Sequence, residues 1–389
     1  MKRYLKSIYF VVLLVLLVLV VGAGGTLAQT RAPQLGWHYT FPDGAAYGLG
    51  VSETGDVLVA VIGFGFDPGG QIVSLDPATG DVRWSVETGE GASADPIVAD
   101  GVVYVGMGSL TGGGAAVYAL DAATGAERWR TDVENRTLPA TPIDTVVFSN
   151  GKLFVNRGDA ILIKLDAATG DLEWEVDLQK PSRGAPFVAD GMVFVTTGFD
   201  GGRIVAYDAE TGAERWSVED TDNPVTGPVL ADGHLLVSFV DGELAAFDPA
   251  TGQERWRVRA GVRDEAGDMD PWPGLPLALD GTVYLSSNGF AGAYTVAFDL
   301  HTGQELWSTP TGDFSAGAPA IADDTLVLGS DSGDLLGLDP STGVELWRVA
   351  IPEKIDLDLN QATPPLTGNG WIYTRDETGG VAALIAAMS

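Results

Sequence analysis

A nine-residue pattern, Asp-x-x-Thr-Gly-x-x-x-Trp, occurs seven times in this chain. Its aspartates are Asp76, Asp121, Asp166, Asp208, Asp248, Asp299 and Asp339, and its tryptophans Trp84, Trp129, Trp174, Trp216, Trp256, Trp307 and Trp347. The steps between aspartates are 45, 45, 42, 40, 51 and 40 residues. Self-similarity at that period belongs to propellers and solenoids. Apolar alternation precedes each copy, as in Ile72-Val73-Ser74-Leu75, so the pattern follows a strand. The Asp side chain accepts hydrogen bonds from amides two residues on, and the Gly supplies positive φ without a steric cost. The Trp opens the next strand, where a large ring can bury against a neighbouring sheet.

One repeat shows the plan. Pro186-Phe187-Val188 reads as a first strand, Ala189-Asp190-Gly191 as a tight turn, and Met192 to Val195 as a second strand. Phe199 to Gly202 is the next turn, Ile204 to Tyr207 the third strand, and Glu214 to Ser217 the fourth. Turns at about ten-residue spacing with no helical stretch indicate an all-β protein, and Asp-Gly between apolar runs is a strong hairpin signal. Prolines 96, 142, 186, 228, 276, 319 and 364 recur at the start of the first strand. Lacking a donor amide, they place that strand at a sheet edge, here the edge lining a central channel.

The ends settle the count. Trp37 stands in a lone strand with no Asp-x-x-Thr-Gly ahead of it, while three strands without a fourth follow the seventh copy. Joined, they make an eighth unit that closes the ring and protects the terminal edges. The expected fold is an eight-bladed β-propeller of four-stranded antiparallel blades spanning residues 33–387, with Trp37 as the eighth repeat tryptophan.

Residues 1–28 stand apart. Lys2, Arg3 and Lys6 precede a continuous apolar run, Ile8 to Val21, and Thr26-Leu27-Ala28 offers a small-residue cleavage site. This is a signal peptide, or, if uncleaved, an N-terminal membrane tether through residues 8–23. Either way the remainder is exported, to the periplasm, the outer side of a membrane or the medium. With no cysteine, disulfides, thiolate metal sites, covalent haem and a lipidated N-terminal Cys are excluded. The 22 basic and 53 acidic residues give −31, and loss of three basic residues with the leader gives −34. That field repels phosphate backbones and excludes nucleic acid as a partner.

The run Ala-Leu-Asp-Ala-Ala-Thr-Gly-Ala-Glu-Arg-Trp at 119–129, with its copies, resembles the pyrroloquinoline-quinone-type β-propeller repeat family. The resemblance covers nearly all of residues 33–387 and implies that each Trp docks neighbouring blades. The family has two branches. Quinoprotein dehydrogenases hold the quinone and Ca²⁺ on the propeller axis; non-catalytic propellers include the lipoprotein of outer-membrane protein assembly. Short connections and the missing cysteines fit the second branch better. The resemblance therefore implies a non-enzymatic, monomeric scaffold for protein partners in the cell envelope, with no cofactor. The alternative is a quinone- and Ca²⁺-dependent or sugar-binding enzyme using the axial channel.

Candidate sites lie where the period breaks. The long fifth step contains Asp264, Glu265, Asp268 and Asp270, weak Ca²⁺ candidates whose spacing departs from known calcium loops. In a chain this acidic, four carboxylates on one loop read first as solvated surface. Trp272, held between Pro271 and Pro273, is a candidate partner anchor, and Arg183, near the channel mouth, a second. His38, His234 and His301 fall in three repeats without ligand-like spacing. The repeat aspartates read as turn-formers, because a catalytic constellation breaks repeat symmetry.

Overall fold

In a computed structural model, the described residues are 32–63, 69–89, 91, 94–108, 115–133, 143–182, 184–198, 201–220, 223–240, 242–260, 272–288, 293–312, 317–330, 334–350, 365–375 and 379–385. They fold into eight antiparallel sheets arranged as a ring, with no helix among them. Blades 1 to 7 follow the chain, over 44–87, 97–133, 143–177, 187–220, 229–259, 272–312 and 320–349. Blade 8 takes three strands from 366–385 and its fourth, Gln34–Tyr39, from the other end of the described chain. Trp37 pairs with Ala383 across that seam. Blade 6 carries a fifth short strand, Trp272–Pro273, paired with Ser287 and Asn288.

From blade 7 through blade 8 and on to blade 6 the first strand of each blade contacts the first strand of the next, so these strands surround the axis. Their backbones approach closely. A Cβ at Gly48 would lie 2.7 Å from the Ala94 carbonyl oxygen, and one at Gly274 would lie 2.7 Å from that of Gly317. Pro96, Pro186, Pro228, Pro276 and Pro319 each stand immediately before such a strand.

The repeat turn repeats its hydrogen bonds. Asp76 Oδ1 accepts from the Ala78 and Thr79 amides at 2.8 and 3.1 Å, and the Gly80 amide donates to the Asp76 carbonyl at 2.8 Å. Each Trp indole then crosses to the next blade. Trp37, Trp84, Trp129, Trp174, Trp216, Trp256 and Trp307 donate to the carbonyls of Pro77, Ala122, Ala167, Ala209, Pro249, Leu300 and Pro340 at 2.8 to 3.3 Å. Each acceptor follows directly after the repeat aspartate of the next blade. The ring lies over that turn's glycine: at Gly170, φ is +77° and a Cβ would meet the Trp129 ring at 2.7 Å. Gly is required there twice, for its backbone and for the space above it. Trp347 faces blade 8, which has no such turn, and packs against Ile372, Ala382 and Leu384.

In blades 2 to 8 the turns between first and second strands have positive φ at both central residues, as at Asp190 and Gly191 (51° and 74°), which is the type I′ hairpin geometry, while blade 1 turns through the longer segment 52–56 with positive φ only at Gly55. Blade 7 departs from the pattern: Asp324, at φ 59°, occupies the place held elsewhere by Gly. Asp tolerates this backbone conformation less well than Gly does. Asp324→Gly is expected to raise stability by about 0.5 kcal/mol, part of the relief being offset by the freer unfolded chain. A thermal melt of the variant checks this.

Candidate functional site at the axial mouth

The antiparallel order gives the ring two unlike ends. At one end the type I′ turns sit beside the Asp-x-x-Thr-Gly turns, held by bonds such as Ala209 N–H to Gly191 O at 2.8 Å. At the other, the second-to-third-strand turns meet the blade-to-blade connections, as in Leu178 N–H to Ala160 O at 2.8 Å. The first end is a ring of near-copies. The second receives both long connections, 260–271 and 350–365, as the strands that flank them require.

Residues that break the repeat collect at the mouth of this second end. Tyr47 lies early in the first strand of blade 1, Asp95 just before that of blade 2, Asp144 at the start of Ile143–Ser149 in blade 3, and Arg375 at the end of Trp371–Arg375 in blade 8. Arg375 donates to the Tyr47 carbonyl and, at 3.3 Å, to that of Ala46, with its guanidinium 6.0 Å from the Tyr47 ring centre. Asp95 Oδ1 accepts from the Leu49 amide at 3.2 Å. Arg157 and Asp159 form a buried ion pair at the blade 3 turn. Asn156 beside it donates to Ser182 Oγ at 2.8 Å and to the Gly184 carbonyl at 2.7 Å, tying blade 3 to the approach of blade 4.

Tyr47 and Asp95 are exposed and Asp144 and Arg375 half-buried, so the groups of the mouth touch solvent, yet the protein packed around them displaces enough water for desolvation to dominate their electrostatics. Desolvation by burial pushes the Asp144 carboxyl up to about 6, with the nearby Asp159 charge adding to the shift. Burial also raises Asp95, against the opposing pull of Arg375 and the Leu49 amide, and it lowers Arg375 despite Asp95. The Tyr47 phenol is raised by burial, opposed by Arg375 and reinforced by Asp144 and Asp95.

An acid whose folded pKa lies above its unfolded one binds its proton more tightly when folded. Its contribution is therefore harmless at low pH and becomes a cost as pH rises from about 4 through about 6. Asp144→Asn is expected to stabilise the protein at pH 8 by about 2–3 kcal/mol, a gain that vanishes by about pH 4. Denaturant titrations at the two pH values check it, and an equal effect at both would remove Asp144 as the titrating group.

Two further departures lie between blades. Two residues before the repeat Asp, other blades carry Ser74, Ala119, Ala206, Ala246, Ala297 or Gly337, leaving room for the Trp paired across the strand. Blade 3 carries Lys164, which is 1% exposed and pairs with Glu173 and with Glu210 of blade 4, each at 3.0 Å. Lys152, also on Glu173 and Asp166, lines the same cavity of about 400 Å³ with Phe154 and Val188. The Trp174 indole bond at this junction, at 3.3 Å, is the longest of the seven. The second departure is at blades 5 and 6, where His234 and His301 face one another.

Of the residues singled out from sequence, the repeat Asp and Trp side chains lie in the turns and blade junctions described above. Trp272 falls in the short extra strand of blade 6, and its side chain lies outside the described residues. Arg183, Asp264, Glu265, Asp268 and Asp270 also lie outside them. The mouth residues were missed because Tyr47, Asp95, Asp144 and Arg375 come from four blades and share no motif. Lys164, Glu210 and His301 did leave a signal, since each replaces a small residue common to most copies.

A pyrroloquinoline quinone carries three carboxylates and would need uncommitted cations at the axis. The described mouth offers Asp95, Asp144 and Asp159, against two guanidiniums already engaged by Asp159 and by backbone carbonyls. These residues do not fit that group. Among the described residues no three His, Asp or Glu side chains gather to hold a metal ion.

Comparison with known proteins agrees with this architecture. The outer membrane protein assembly factor BamB of Yersinia pestis is 27% identical over 205 residues, which are 50% of this chain and 48% of that protein. The chain thus spans about half the length of the curated relatives it matches. The crystal structure of BamB from Moraxella catarrhalis superposes with a TM-score of 0.62 at 19% identity, over 92% of this chain and 99% of that one. Quinohemoprotein alcohol dehydrogenase from Comamonas testosteroni superposes at 0.64 and 16% identity, over 92% of this chain and 77% of that one, so fold by itself does not separate the two branches. The family model described as outer membrane protein assembly factor BamB matches residues 24–112, 112–310 and 222–387, and the chain belongs to that family.

Proposed function

We propose that the protein is an exported, non-enzymatic propeller scaffold that holds a protein partner on the end of the ring where the irregular connections emerge. The observation that carries this reading is the asymmetry of the two ends. One is built from similar turns; the other collects the long connections and a cluster of ionisable groups drawn from four blades, with Tyr47 and Asp95 exposed and Asp144 and Arg375 half-buried in the mouth. Per-repeat insertions in such folds map to loops on one face, often the binding face. The names of the relatives, outer membrane protein assembly factors, support a partner among the components of that assembly. Residues 8–23 would then serve as the export signal, or as a tether if uncleaved.

Photo-crosslinking in the cell envelope tests the reading. A crosslinker at Trp272 or Tyr47 is expected to trap an outer-membrane assembly component, whereas one at Asp190, on the regular end, is not. Trapping from Asp190 but not from the other two would reverse the assignment of faces. The axial-enzyme alternative is tested separately by titrating the purified domain with pyrroloquinoline quinone and Ca²⁺. A flat titration is expected, given the mouth residues; saturable Ca²⁺-dependent binding would replace the scaffold with a dehydrogenase.

A further inference from the structure

We propose that His234 and His301 form a site for a divalent transition-metal ion, Zn²⁺ or Cu²⁺, at the junction of blades 5 and 6. The chain has three histidines, and these two, 67 residues apart in sequence, lie with ring centres 5.1 Å apart and planes at 62°. His234 opens the second strand of blade 5 and is 7% exposed. His301 stands in the repeat turn of blade 6, exposed at the surface, where blades 1, 2, 3 and 5 carry Ala78, Ala123, Ala168 and Ala250. One ring is therefore fixed and the other accessible and adjustable, an arrangement that lets an ion enter.

The hydrogen bonding favours metal over simple ring contact. His234 Nδ1 lies 2.9 Å from the Asp232 carbonyl oxygen. A carbonyl can only accept, so Nδ1 carries the proton and Nε2 keeps its lone pair. Support of one ring nitrogen by a backbone carbonyl is the usual setting of a ligating imidazole, because it fixes the ring and raises the basicity of the other nitrogen. The local field suits a cation as well. Asp76, Asp121, Asp208 and Asp248 each pair with an arginine seven residues on, but blade 6 has Leu306 there, so Asp299 beside His301 is not offset in that way.

Two imidazoles with water completing the shell select borderline ions such as Zn²⁺ and Cu²⁺ over Ca²⁺ and Mg²⁺, which want several oxygens. A bound ion would bridge the blades beside the Trp256 indole bond to the Leu300 carbonyl, 3.0 Å, and so reinforce the same junction.

The test uses the untagged exported domain, stripped with chelator and titrated calorimetrically with ZnCl₂ or CuSO₄ in excess Mg²⁺. One ion per chain is expected. His301→Ala, an exposed change that leaves the core intact, should weaken binding by more than the roughly tenfold loss that removing a supporting group brings. His234→Gln should do the same, and His38→Ala should not. The thermal midpoint should rise with Zn²⁺ in the parent and stay fixed in His301→Ala. Equal affinity in the parent and His301→Ala would assign the ion to surface carboxylates and overturn the site, as would the absence of saturable binding.

Discussion

Trp129→Ala is expected to lower stability by about 3 kcal/mol, with a matching drop in the denaturation midpoint. The change removes three things together. The indole bond to the Ala167 carbonyl, 3.0 Å, is lost; so is the cover over Gly170; and so is the contact with Tyr104, whose ring centre lies 6.0 Å away. Trp129→Phe keeps part of the ring and loses the donor, so about 1 kcal/mol is expected from the hydrogen bond. Gly170→Ala is destabilising because its Cβ would press on Thr131 Oγ1 and on the Trp129 ring at a φ of +77°. The two effects are coupled. In a Trp129→Ala background, Gly170→Ala should cost less than it does alone, because the ring it strikes is gone. Strict additivity, or a Trp129→Ala cost below about 1 kcal/mol, would show that blade cohesion lies elsewhere.

The second large effect is an asymmetry around Lys164. Its ammonium is taken almost wholly out of water and held by Glu173 and Glu210. Removing both acids in Glu173→Gln/Glu210→Gln leaves that charge buried without a carboxylate, at an expected cost of about 3 kcal/mol. Removing the charge itself in Lys164→Met keeps the volume and should be neutral within about 1 kcal/mol. Glu210→Gln alone should do little, because Glu210 is 86% exposed and surface pairs are screened. Urea titration of the three variants checks the order. Acid should act in the same direction as the double variant. Lys152 first, then Lys164, hold the Glu173 carboxyl below its usual range. The stability from Glu173 is therefore present above its unfolded pKa and is lost as pH falls below it. If Lys164→Met proves as damaging as the double variant, the lysine is there for its charge rather than tolerated in spite of it.

The blade count followed from the orphan Trp37 strand and the orphan three-stranded unit, because hairpin pairing is local and a ring needs its edges closed. Pro96 and Pro186 marked the inner strands for an equally local reason, the missing amide. Arg183, Trp272 and the 264–270 acids were proposed from loop chemistry alone, and their side chains lie outside the described residues. The mouth cluster was not legible. Asp95 looks like any other acid in a chain with 53 of them, and only the ring brings it beside Tyr47 and Arg375.

The sequence by itself determined everything that recurs within one blade: the turn made by Asp and Gly, the strand alternation and the Trp position. Each depends on contacts between residues at most a few tens of positions apart, so a repeat writes it again in every copy. The tertiary structure decided which departures from the repeat meet. His234 reaches His301, and Lys164 reaches Glu210, only because consecutive blades present the second and third strands of one to the repeat turn of the next. Arg375 joins Tyr47, Asp95 and Asp144 only because the ring closes between blade 8 and blade 1. Closure brings distant positions together, and no local pattern records it.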